Sequence, residues 1–193
     1  MSREFEPAAR LLRDIQGYRQ LRLRSYRIPQ KIAGRPALEI IGAFMQDDAY
    51  DTWFLLDGED LPSGYDDSKS TVNDTPRHGP FDQSRMDVSL YTPVALEEAK
   101  EHLLHLTARA QTKEQYPYQP RGFFEGPHYT AGSETVEELF GALDADSSEA
   151  YRLEAGAWDE RYRHELAVQD EFTEYLVIDR STGLLHMVVV SAA

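Results

Sequence analysis

Eight carboxylates, Asp47, Asp48, Asp51, Asp57, Glu59, Asp60, Asp66 and Asp67, fall within 21 residues. At that density carboxylates can hold magnesium, exchange protons as an acid–base pair, or draw a basic partner through their shared field. A calcium loop is excluded by spacing, since it needs glycine at the sixth position and glutamate at the twelfth. Counted from Asp57 the sixth residue is Pro62, and counted from Asp144 it is Glu149. His102 and His105 stand three apart, with Glu98 and Glu101 one turn before them. The string is EHLLH rather than the HExxH of zinc proteases, and His105 falls off the apolar stripe, so solvated histidines are expected.

A second cluster is aromatic. The stretch YPYQPRGFFEGPHY carries Tyr116, Tyr118, Phe123, Phe124 and Tyr129 among three prolines and two glycines. Such rings suit contact anchors, because they bring large area at low entropy cost; a loop folded over its own core is the alternative. Arg19, Arg22, Arg24 and Arg27 form a basic stripe that could grip phosphates, but no nucleic-acid-binding signature lies beside it. Pairing of this arm with the acidic body is expected instead. No serine sits in a GxSxG elbow, and neither a P-loop nor a GxGxxG is present. The absence of cysteine excludes disulfides, thiolate zinc sites, iron–sulfur clusters and a cysteine nucleophile. No catalytic residue, metal ligand or cofactor is assigned.

These residues must be carried by ordinary elements. Glu6–Gln16 reads as a helix, with Pro7 in its first turn, Ala8, Leu11, Leu12 and Ile15 at helical spacing, and Gly17 as its stop. The stretch from Arg19 alternates Leu21 and Leu23 with arginine and reads as a strand that Pro29 ends. Residues 37–57 read as a hairpin turning near Gln46–Asp48, with a helix over ALEIIGAFM as the competing reading. Residues 58–84 and 114–131 lack any period, which is uncommon in a compact domain unless the segments are functional or mobile. Between them lie a strand at MDVSLYT and a helix over TPVALEEAKEHLLHLTARAQ. Thr92 and Pro93 suit that helix's start, and Leu96, Ala99, Leu103, Leu106 and Ala110 form its stripe. Ser133 to Leu143 gives a shorter helix burying Val136, Leu139 and Phe140. Residues 149–169 lean to strand, with Tyr162, His164, Leu166 and Val168 alternating. FTEYLVID, RSTG and LLHMVVVS make a hairpin whose continuous apolar arms belong in the middle of a sheet. The pattern predicts a single α+β domain, an antiparallel sheet of about six strands with two to three packed helices.

Charge sets the expectation for function. The 193 residues carry a net −14, but residues 1–36 hold nine basic and three acidic side chains, a net +6, leaving −20 on the remainder. No apolar run is long enough to span a membrane and the amino terminus is too charged for a signal peptide, so a cytoplasmic location is expected. The closing hairpin, EYLVIDRSTGLLHMVV, resembles the strand, Asp-Arg-x-x-Gly turn and strand of SUKH-type bacterial immunity proteins; the resemblance is confined to that hairpin and carries over no site residue. The expected function is an acidic partner-binding protein, of the inhibitor or immunity type, acting on a basic protein. Asp57, Glu59, Asp60, Asp66 and Asp67 would steer the partner, and Tyr116, Tyr118, Phe123, Phe124 and Tyr129 would anchor it. The alternatives are a metal-dependent hydrolase or nuclease using the acidic cluster and His78 or His128, and a subunit of an assembly.

Overall fold

The structure, a computed structural model, describes residues 4–16, 19–50, 77–108, 129–154, 159–162 and 171–192. Its frame is a six-stranded antiparallel sheet in the order β1-β2-β8-β7-β6-β5, an α+β architecture with three helices. The strands are β1 (Glu6–Gln16), β2 (Arg19–Arg27), β5 (Tyr91–Val94), β6 (Ser148–Leu153), β7 (Glu171–Asp179) and β8 (Leu184–Ala192). A two-stranded hairpin, β3 (Arg77–His78) with β4 (Phe81–Asp82), stands apart from it.

The β7–β8 hairpin is central because its residues leave no polar face. Leu176, Ile178, Leu185, Met187 and Val189 look to one side and Tyr175, Val177, Val188 and Val190 to the other, all buried. A strand apolar on both faces needs a layer on each. On the first side that layer is α1 (Ala37–Met45) with the segment running from His78 to Tyr91. On the second side it is α2 (Leu96–Ala108) and α3 (Tyr129–Ala142), which press Ala99, Leu103, Leu106, Val136 and Leu139 onto the sheet. Among the described residues no helix is long and apolar enough to cross a membrane.

The hairpin's turn is built by the Asp-Arg-Ser-Thr-Gly string. The Asp179 carboxylate accepts from Ser181 N (3.0 Å), Ser181 Oγ (2.6 Å) and Thr182 Oγ1 (2.5 Å), and Gly183 takes φ +67°, which suits a residue without Cβ. Burial alone would raise the Asp179 pKa; the Ser181 and Thr182 bonds outweigh it and hold it below the usual carboxylate value. Arg180 donates to Glu149 (2.7 Å), Ala33 O (3.0 Å) and Arg35 O (3.1 Å), clamping β6 and the approach to α1.

Four expectations fail for physical reasons. Glu6–Gln16 is a strand, not a helix: its register against β2 slips between Pro7 and Ala9 and again between Asp14 and Gln16. Each bulge shifts the alternation by one residue, which erases the period of two that marks a strand. Residues 37–45 are α1, not the first arm of a hairpin. Ile40, Ile41, Phe44 and Met45 lie on one buried helical stripe, while Gly42 is only half-buried. The rest of that hairpin, with the TWFLL string at 52–56 as its second arm, lies outside the described residues. Thr92 and Pro93 do not open α2; they belong to β5, and the helix begins at Leu96. MDVSLYT is a strand only at its end: it holds the 3-10 turn Val88–Leu90 and then the first two residues of β5.

Leu103 has no exposed surface, whereas His105 on the same helix is exposed. Leu103→Ala is expected to cost about 2–5 kcal/mol in urea denaturation and His105→Ala to stay within about 0.5 kcal/mol.

Candidate functional site

Of the titratable groups that the fold brings together in one buried cluster, only His78 was singled out in the sequence. On the first face of β7, between Phe172 and Leu176, stands Glu174, fully buried. An ionised carboxylate left alone there would cost several kcal/mol. Its Oε2 lies 2.5 Å from His78 Nε2, and its Oε1 accepts from the Tyr91 hydroxyl. Tyr91 Oη is 2.8 Å from Tyr50 Oη. His78 Nδ1 is 2.9 Å from the Tyr50 carbonyl oxygen, and the two rings stack with centroids 3.7 Å apart and planes 3° from parallel. His78 and Tyr50 have no exposed surface, and Tyr91 has almost none.

Proton positions follow from the partners. A carbonyl only accepts, so His78 Nδ1 carries a hydrogen. One proton then remains between Nε2 and Oε2: the pair is an imidazolium with a carboxylate, or a neutral imidazole with a carboxylic acid. Its net charge is zero either way, which is how an acid survives in this interior. Tyr91 spends its hydrogen on Glu174, so Tyr50 donates to Tyr91. Burial, with the negative charge of Glu174 as the second cause, pushes both phenols well above their ordinary value, and they stay protonated.

Four segments position this cluster. Tyr50 follows α1, and its carbonyl continues the turn in which Tyr50 N donates to Asp47 O (3.0 Å). His78 ends β3, whose turn holds Gly79 at φ +56° with its Cα so close to β7 that a Cβ would sit 2.3 Å from the Phe172 ring. Tyr91 opens β5 and Glu174 lies in mid-β7. The arrangement shares a proton and orients two phenols, the parts of an acid–base device. All four groups are turned on one another beneath the surface, and they lock the first layer onto the sheet.

The acids proposed for steering, Asp57, Glu59, Asp60, Asp66 and Asp67, lie outside the described residues, as do Tyr116, Tyr118, Phe123, Phe124 and His128. Tyr129 is the first residue of α3. Asp47, from the same acidic run, is buried and accepts from Glu4 N (2.5 Å), Phe5 N (3.2 Å) and Ala49 N (2.8 Å), pinning the start of the chain beside α1. The arginines of β2 do not form one stripe: Arg22 and Arg24 share a face with Val189 and Met187, Arg22 being buried, while Arg27 lies exposed on the other face. His78, proposed as a hydrolase histidine, has both ring nitrogens engaged. His102 is bound through Nδ1 to Tyr175 Oη at 2.6 Å; burial, then the neighbouring Arg152, lowers its pKa. Among the described residues no three histidine or acidic side chains are grouped to hold a metal ion.

A second buried polar pair joins β2 to β8 on the opposite face: Ser25 Oγ lies 2.8 Å from His186 Nδ1. Burial pushes the His186 pKa down, against a smaller upward pull from Asp179.

Sequence reasoning missed Glu174 and the role of His78. The signal was present, one glutamate inside the run FTEYLVID on the face of Phe172 and Leu176, where only a paired acid is tolerated. Its partner lies 96 residues away. Comparison with protein-family models, curated proteins and solved structures finds no match to this chain.

Glu174→Ala strips His78 and Tyr91 of their shared partner and is expected to cost about 3–5 kcal/mol in urea denaturation. Glu174→Gln can accept from Tyr91 and donate to a neutral His78, and is expected to recover much of that loss. Equal losses would show that the carboxylate's charge, not its hydrogen bonds, holds the cluster. For His186 the folded state resists protonation that the unfolded chain accepts near its ordinary value of 6.5. The unfolded state therefore binds more protons below that pH, and stability should fall as pH drops through it. A His186→Gln variant measured across the same range should show the shallower decline, with His102, shifted in the same direction, supplying the remainder.

Proposed function

We propose that this chain is an acidic, partner-binding protein of the inhibitor or immunity type, which engages a basic protein through residues 51–76 and the aromatic stretch 116–129. The observation that carries the reading is the closure at Tyr50 and His78. Their rings stack and the His78 ring donates to the Tyr50 carbonyl, so the described residues that flank the acidic stretch in sequence are in direct contact. Residues 51–76 contain seven acids and one lysine, a net −6. Concentrated charge of one sign raises encounter rates with an oppositely charged partner by about 10–10³-fold. The buried cluster supports a binding role from the other side: its acid, histidine and phenols are bonded to one another beneath the surface.

The test replaces Asp57, Glu59, Asp60, Asp66 and Asp67 with Asn or Gln and compares capture from native lysate with that of the unaltered protein. A captured species of high isoelectric point, lost with the variant and lost again in high salt, is the expected outcome. Circular dichroism should show both proteins equally folded. Identical capture by both proteins at low salt would remove the steering role of the segment.

A further inference from the structure

We propose that the concavity between the first turn of α2 and the start of β6 binds a small zwitterion, an α-amino acid with an apolar side chain. Its volume is about 440 Å³. Small residues open it: Ala95 precedes α2, Ala145 lies ahead of β6, and Ala150 faces Val94 across the β5–β6 register. Val94 and Leu96, both packed on the second-face core with Ala150, complete an apolar lining.

Two sets of hydrogen-bond donors meet there. Ser148 precedes Ala150 by two residues and so projects to the same face of the sheet. It is 8% exposed, and its Oγ has no hydrogen-bond partner. A buried hydroxyl without a partner is costly to retain. The second set is the amino end of α2. Ala99 N donates to Ala95 O at 3.0 Å, so the N–H groups of Leu96, Glu97 and Glu98 come before the first helical bond. Ala95 has no side-chain oxygen to cap them, and among the described residues no other side chain does. A carboxylate would take the Ser148 hydroxyl and these N–H groups together.

An anion alone is a poor occupant, because Glu97 and Glu149 line the same concavity. Arg180 neutralises Glu149 at 2.7 Å and Arg152 lies 3.8 Å from Glu98. Lys100 is committed to Glu137 at 2.8 Å. Glu97 makes no ion pair among the described residues, which leaves one carboxylate on the wall for a ligand ammonium. A molecule carrying both charges a few bonds apart, with an apolar body for Val94 and Leu96, satisfies every group at once.

The experiment titrates the full chain by calorimetry with L-leucine, with 4-methylpentanoate, which lacks the ammonium, and with L-leucinamide, which lacks the carboxylate. Leucine is expected to bind saturably and each analogue about tenfold or more weakly. Ser148→Ala should bind leucine about tenfold more weakly while melting at or above the temperature of the unaltered protein, since it removes an unpaired buried hydroxyl. Glu97→Gln should weaken leucine and leave 4-methylpentanoate unchanged or tighter. No saturable leucine binding up to about 10 mM, equal affinity for the three probes, or undiminished binding by Ser148→Ala would each overturn the proposal. A lowered melting temperature for Ser148→Ala would overturn it too, by showing the hydroxyl already satisfied.

Discussion

A single carboxylate in the middle of the most buried hairpin constrains the first face of this molecule. Glu174 cannot reach water, so it must be met where it stands. The groups that meet it come from β3 and β5, and Tyr50 completes the set. Hydrophobic burial would bring α1 and the 77–91 segment to this face in many orientations, since apolar contact is non-directional. The Glu174 hydrogen bonds select one of them. They fix the distance of β3 from β7, the rotation of the His78 ring, and through the Tyr50 carbonyl the point where the chain departs after α1.

The same strand carries a second acid solved by different means. Asp179, at the far end of β7, spends its lone pairs on Ser181 and Thr182, three residues or fewer away. That solution is local, forms with the turn, and leaves the adjacent Arg180 to reach across to Glu149, Ala33 and Arg35. Glu174 instead needs a partner 96 residues distant, so its cost is met only when the first layer is in place. The strand thus ties a locally determined turn to a globally determined core, and loss of either acid would be felt in different parts of the fold.

This contrast explains what could be read from the sequence. The closing hairpin, α2 and α3 announce themselves, because continuous apolar runs and helical stripes are local patterns; Leu103, Val136 and Val189 are buried as those patterns require. The strand β1 does not, because two bulges break its alternation. In α1 the pair Ile40 and Ile41 sits in a dense apolar string that suits either element, and only the layer it covers decides for helix. The proton-sharing cluster was the least legible. His78 lies in a polar stretch that carries no period, and nothing near it in sequence names Glu174 as its partner.

The charge asymmetry also takes on a structural meaning. The basic opening segment is not a free arm: β2 pairs along its whole length with β8, and Arg22 is buried beside Val189 in the row that continues to Glu174. Part of the positive charge is therefore drawn inside the molecule, where solvent and partners do not meet it. The acids of 51–76 lie in sequence between Tyr50 and His78, which are in contact. A chain whose summed charge is −14 can thus present a field more uneven than its composition implies. The first-face core contributes to that unevenness by taking Arg22 inside, and it brings Tyr50 and His78, the described residues on either side of the acidic run, into contact.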